Sequence, residues 1–144
     1  MEITGSCHCG AIRYEAEVDP ANAGICHCTD CQILSGTAFR LSIRAAPGSF
    51  RILAGAPRVY TKTADSGNLR EQAFCENCST PIYATSPGPE PKIYSLRSGA
   101  IDQRDQLRPA FQIWTRSRLP WLELGAIPAA DQQGDAPAGG PRKP

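Results

Sequence analysis

Cys26-His27-Cys28-Thr29-Asp30-Cys31 places three thiols within six residues. Two flanking pairs, Cys7-His8-Cys9 and Cys75-Glu76-Asn77-Cys78, supply the other four of the seven cysteines. An odd number would strand one thiol in a pure disulfide framework, and a CxC pair closes only a strained ring. The start of the chain has no basic n-region followed by an apolar h-region. A reducing, cytoplasmic setting is therefore expected, where clustered CxC and CxxC mark metal more often than bridges.

The seven thiols divide into four and three. Structural zinc takes four tetrahedral ligands, and two pairs about seventy residues apart make the usual closed site, each giving two ligands from one turn. Cys7, Cys9, Cys75 and Cys78 fit that form and would contribute folding free energy on the order of 10 kcal/mol. Cys26, Cys28 and Cys31 then offer three ligands to a second zinc, with a position left for water, a substrate thiol, Asp30 or His27. A different pairing, in which the first pair shares a metal with two of the triplet, stays open because spacing does not fix pairing. In an extended CxC the intervening side chain points away from both thiols, so His8 and His27 are expected to pack or hydrogen-bond beside their sites. Asp30 reads as a first-turn helix carboxylate.

Zinc on three thiolates carries net negative charge, which weakens it as a Lewis acid toward water. Such a site suits capture of a soft thiol, held deprotonated as a nucleophile toward a small electrophile. No phosphate-binding Gly-rich loop and no Gly-x-Ser-x-Gly elbow occurs, and both histidines sit inside CxC motifs, which argues against a serine or cysteine triad. Arg40, Arg44 and Arg97 can bind substrate carboxylates, although a solvated sheet face is the expected use of such residues. Glu76 and Asn77 read as solvated loop residues.

Around the cysteines the pattern is that of short strands. Ile12, Tyr14, Ala16 and Val18 alternate with polar residues, and so do Phe39, Leu41, Ile43 and Ala45. Asp19-Pro20 is expected to end the first strand. Further candidates lie at 50–53, 59–63, 69–74, 82–85, 93–96 and 110–114, separated by Gly, Pro and Asn breakers. Thr29 three residues before Gln32 has capping-box spacing for a short helix after the triplet, with Gly36 as its stop. Leu119-Pro-Trp121-Leu122 is expected to close over the core. The whole is a mainly β, largely antiparallel domain over 1–128, followed by a disordered Pro/Gly/Ala-rich tail over 129–144. At 15.5 kDa it is one domain's worth, and a net charge of +1 leaves no electrostatic footprint for nucleic acid. No apolar stretch is long enough to span a membrane.

Gly5-Ser-Cys-His-Cys-Gly10, the triplet with Ser35-Gly36-Thr-Ala-Phe39, Phe74-Cys-Glu-Asn-Cys78 and Leu96-Arg-Ser-Gly-Ala-Ile-Asp102 together resemble the glutathione-dependent formaldehyde-activating enzyme family, which includes centromere protein V domains. The likeness runs over roughly residues 3–125 and includes Pro109 and Trp121. It implies a β-tent of antiparallel sheets bearing two zinc ions, one structural on Cys7, Cys9, Cys75 and Cys78 and one catalytic on Cys26, Cys28 and Cys31. The implied reaction joins a small-molecule thiol, glutathione, to formaldehyde, giving S-hydroxymethylglutathione, and is classed as a carbon–sulfur lyase. The other readings of the chain are a non-catalytic zinc module that binds glutathione or a protein partner, and a thiol redox or metal-store protein. One departure from the family is Ser79, where a glycine usually follows the second knuckle cysteine.

Overall fold

In the computed structural model, residues 1–132 are described. They form nine strands and one short α-helix: β1 (Glu2–Ser6), β2 (Arg13–Cys26), α1 (Thr29–Ser35), β3 (Arg40–Ala45), β4 (Arg51–Ala54), β5 (Arg58–Thr63), β6 (Leu69–Phe74), β7 (Pro81–Thr85), β8 (Ser95–Arg97) and β9 (Phe111–Ile113). The order across the sheet is β1-β2-β3-β8-β7-β6-β5, with β4 and β9 also pairing to β2. Every pairing is antiparallel except β2 with β9. The expected mainly β, antiparallel architecture with one helix after the triplet is what the chain adopts. No helix among the described residues is long and apolar enough to cross a membrane.

β2 is the spine. Its first half pairs with β1 and β4, its second half with β3 and β9. The sequence places a strand end at Asp19-Pro20, yet β2 runs through it to Cys26. The register with β3 shifts between Val18 and Ala23, and that irregularity takes up the proline, which lacks an N–H for the ladder. The long strand therefore delivers Cys26 directly from the core, where Tyr14, Ala23 and Ile25 are buried.

The inward positions of β1, β2, β3 and β8 meet as one cluster built on Ile3, Ile12, Tyr14, Val18, Ile43 and Leu96. Cys7 and Cys75 are buried in the same cluster. Against the far half of β2 lies a smaller cluster of Phe111, Ile113 and Ala130, with Cys26 and Trp114 packed on it. Close approach of β9 to β2 depends on Gly24, since a Cβ there would lie 2.1 Å from the Phe111 ring.

Two expectations need correction. Trp121 does not close over the core but is 70% exposed. The tail also begins later than residue 129: Ala129 bridges to Gln112, and Ala130 is buried, its N–H donating to Gln112 O on β9 and its O accepting from Thr115 N–H. These residues follow β9 because they complete the hydrogen bonding on its open side. Residues 133–144, where the rest of the expected tail lies, fall outside the described residues.

Candidate metal centres and the adjoining cleft

The first group forms where the turn after β1 meets the β6–β7 turn. Cys7, Cys9, Cys75 and Cys78 present four sulfurs that all lie within 4.8 Å of one another. Cys7 Sγ is 3.5 Å from Cys9 Sγ, which is 3.8 Å from Cys75 Sγ. A tetrahedron with zinc–sulfur distances of about 2.3 Å has edges of about 3.8 Å, so four sulfurs at these separations suit that ion. These separations are far beyond a disulfide bond of about 2.05 Å, and all seven cysteines are free. A backbone amide also reaches the group: Ile12 N–H donates to Cys7 Sγ at 3.2 Å. The Thr80 hydroxyl, 3.1 Å from Cys78 Sγ, is the chief cause that brings the Cys78 thiol down to about 5. The Asn77 side chain is the chief cause that holds Cys9 below the usual thiol range, and Asn77 itself is exposed, as the sequence suggests for a loop residue.

At the knuckle, Ser79 takes the left-handed conformation (φ 61°), and its N–H donates to Cys75 O at 2.8 Å. Its hydroxyl donates to Cys78 O at 2.6 Å. The turn that a glycine makes freely is therefore made here by a serine.

The second group is the triplet at the end of β2. Cys26, Cys28 and Cys31 bring their sulfurs within 4.8 Å of one another, each partly exposed. The helix cap differs from expectation. Cys28, not Thr29, is the N-cap of α1, its Sγ accepting from Cys31 N–H at 3.3 Å. The sulfur displaces the threonine hydroxyl because Thr29 is already the first helical residue. Gln32 is thereby freed to donate from Nε2 to His27 O at 2.8 Å and to Ser117 O at 2.9 Å. Gly36 ends the helix in the left-handed conformation, as expected. Neither histidine nor Asp30 joins either sulfur group. His8 is exposed, and Asp30 pairs with Lys62. His27 is fully buried, and its Nε2 lies 2.8 Å from Gln112 Oε1. Because Gln112 Nε2 donates to Ile127 O, the amide oxygen faces the ring and His27 Nε2–H is the donor. Bonds from Cys26 and Cys28, then the positive charge of Arg97 and Arg40, hold the Cys31 thiol below its ordinary value, whereas bonds from Cys28 and Cys31 hold Cys26 above it.

In front of the triplet opens a cleft of about 190 Å³. Its floor is one face of the sheet. Cys26 lies opposite Arg40, Ser42 opposite Arg97, and Arg44 opposite Ser95. The row continues from Ser95 to Ala84 to Gln72, with Arg70 two residues from Gln72 on the same face. Arg44, Arg70 and Arg97 line the cleft together with Lys62, Phe111 and Trp114. Arg40 is buried beside the triplet at 6% exposure. The sequence suggests a solvated face for Arg40, Arg44 and Arg97. The structure instead turns that face into a cleft floor, because β6, β7 and β8 extend the sheet beyond β3. Arg70, Lys62 and Trp114 carry no local signal of this role, since only the cross-strand register puts them beside the triplet.

Residues 2–117 match the model of the family described as glutathione-dependent formaldehyde-activating enzyme. The chain belongs to this family. A Halomonas elongata protein, provisionally named as a glutathione-dependent formaldehyde-activating enzyme, is 25% identical over 130 residues, covering 86% of this chain and 82% of its own. A solved structure of a Rhodobacter sphaeroides protein shares the fold at a TM-score of 0.54 and 20% identity. It covers 88% of this chain and 99% of its own.

Proposed function

We propose that this family member is a zinc-dependent carbon–sulfur lyase that joins glutathione to formaldehyde, giving S-hydroxymethylglutathione. The observation that carries the reading is the triplet: three convergent sulfurs, with no fourth protein donor among the described residues, at the wall of a cationic cleft. Cys26, Cys28 and Cys31 would hold one zinc, and Cys7, Cys9, Cys75 and Cys78 a second, structural one. When bound at the triplet, zinc would hold a substrate thiol deprotonated and present it as a nucleophile. Addition of that sulfur to the carbonyl carbon forms one C–S bond, breaks the carbonyl π bond and leaves the oxygen to take a proton.

The chain's own residues prepare this event in three ways. Arg40 and Arg97 face the triplet and offset its negative charge. The Arg97 guanidinium is fixed by donating to Ser42 Oγ at 2.8 Å and Gln72 Oε1 at 2.6 Å. Gln112 and Gln32 tie His27 to β9 and α1, so the backbone carrying the triplet is braced on both sides. Clustered free thiols suit a reducing compartment, and we place the protein in the cytoplasm. Cys28→Ser separates this reading from a purely structural second zinc. An enzyme keeps its fold and loses turnover, whereas a fold staple loses stability and has no turnover to lose.

A further inference from the structure

Arg44, Arg70 and Arg97 line the cleft and Arg40 is buried beside the triplet, and none of the four is paired with a carboxylate among the described residues. They are not equivalent. Arg40 and Arg97 feel the charge of the triplet cysteines. Arg44 and Arg70 do not; Arg44 is held below its ordinary value by burial and then by the Arg70 guanidinium, and Arg70 by burial alone. Arg70 donates to the neutral Ser86 Oγ at 2.8 Å, and Arg44 makes no side-chain hydrogen bond among the described residues. The acidic residues of the lining are Asp30, already held by Lys62, and Asp65, which forms no ion pair with either arginine.

The sheet explains how the two come together. From Arg44 on β3 the row crosses Ser95 and Ala84, two small residues, to Gln72 on β6, and Arg70 lies two residues along β6 on the same face. The trough so formed is three strand spacings wide, about 14 Å between backbones, which long side chains reaching inward from either side can close. Two half-buried guanidiniums facing one trough without a counter-ion are costly to hold. A ligand carboxylate offers each of them a planar, bidentate partner and offsets that cost.

We propose that Arg44 and Arg70 are specificity-determining residues that bind a carboxylate of the thiol substrate, so that the cleft selects anionic thiols over uncharged ones. The inference rests on the cleft being a thiol-substrate site, and it adds the residues that read the substrate's charge. The anion end lies along β3 from the triplet, four residues beyond Arg40, so charge recognition and sulfur capture occupy separate ends of the same cleft.

The test uses S-methylglutathione, which carries both carboxylates but has no free thiol, and its diethyl ester, titrated calorimetrically into the zinc-loaded protein. The acid is expected to bind roughly tenfold or more tightly than the ester, as charged hydrogen bonds allow. Arg44→Gln and Arg70→Gln are expected to abolish that discrimination, while Arg44→Lys, which keeps charge but loses the fork, retains part of it. Equal binding of acid and ester to the wild-type protein, no binding of either, or variants that discriminate like wild type overturns the proposal. The ester comparison leaves the chain untouched, so it decides the matter even where a variant fails to fold. Discrimination without any acceleration of glutathione–formaldehyde exchange leaves the anion site standing and removes the formaldehyde reading. Exchange without discrimination does the reverse.

Discussion

Ser79 holds the left-handed conformation that the knuckle requires and is a non-glycine residue doing so. Such a conformation costs an L-residue with a Cβ roughly 1–2 kcal/mol, partly recovered here by the bond from its hydroxyl to Cys78 O. Ser79→Gly is therefore expected to raise stability by about 0.5–1 kcal/mol, read as a higher urea midpoint at unchanged slope. A lower midpoint would show that the hydroxyl bond outweighs the backbone strain. The residue scale is also where the sequence was most informative. Its departure from the family glycine predicts a left-handed strain at that one position, because the knuckle geometry is local. The division of the cysteines is local in the same sense, since each pair or triplet occupies a single turn. Arg44 and Arg70 could not be assigned this way, because their meaning lies in a neighbour three strands away.

β9 shows how an element of three residues carries weight in the site. It pairs parallel to the end of β2, placing Ile113 beside Cys26 and Gln112 beside Ile25. Gln112 is buried at 2% exposure and serves both His27 and Ile127 O. Gln112→Leu keeps the size and removes both bonds, leaving a buried N–H and a carbonyl without partners at about 1–3 kcal/mol each. Loss of at least about 2 kcal/mol in denaturant unfolding is expected; a loss below about 0.5 kcal/mol would mean that water replaces the amide. Strand positions were legible at this scale because period-two alternation survives in the first half of β2 and in the sequence of β3. What misled was Asp19-Pro20, a strong breaker in isolation. Its effect is absorbed by a register shift that only the pairing with β3 reveals.

At the scale of the whole molecule the two sulfur groups have unequal surroundings. Cys7 and Cys75 are buried in the main cluster and join β1 to the β6–β7 turn, whereas the triplet is partly exposed at the wall of a cleft. Metal analysis of the wild-type protein is expected to give two zinc per chain. Cys75→Ser should lose one zinc together with most of the stability, since structural zinc contributes on the order of 10 kcal/mol to folding. Cys28→Ser should lose one zinc with a much smaller change in thermal midpoint. Equal destabilisation by both would contradict the division of roles.

The most direct measurement of the central claim is exchange spectroscopy on a glutathione–formaldehyde mixture at equilibrium. Zinc-loaded wild-type protein is expected to accelerate interconversion of glutathione and S-hydroxymethylglutathione above the uncatalysed rate, and folded Cys28→Ser to leave that rate unchanged. An uncatalysed rate in the presence of wild-type protein carrying both zinc ions, or equal acceleration by Cys28→Ser, would contradict the assignment of this chemistry to the triplet.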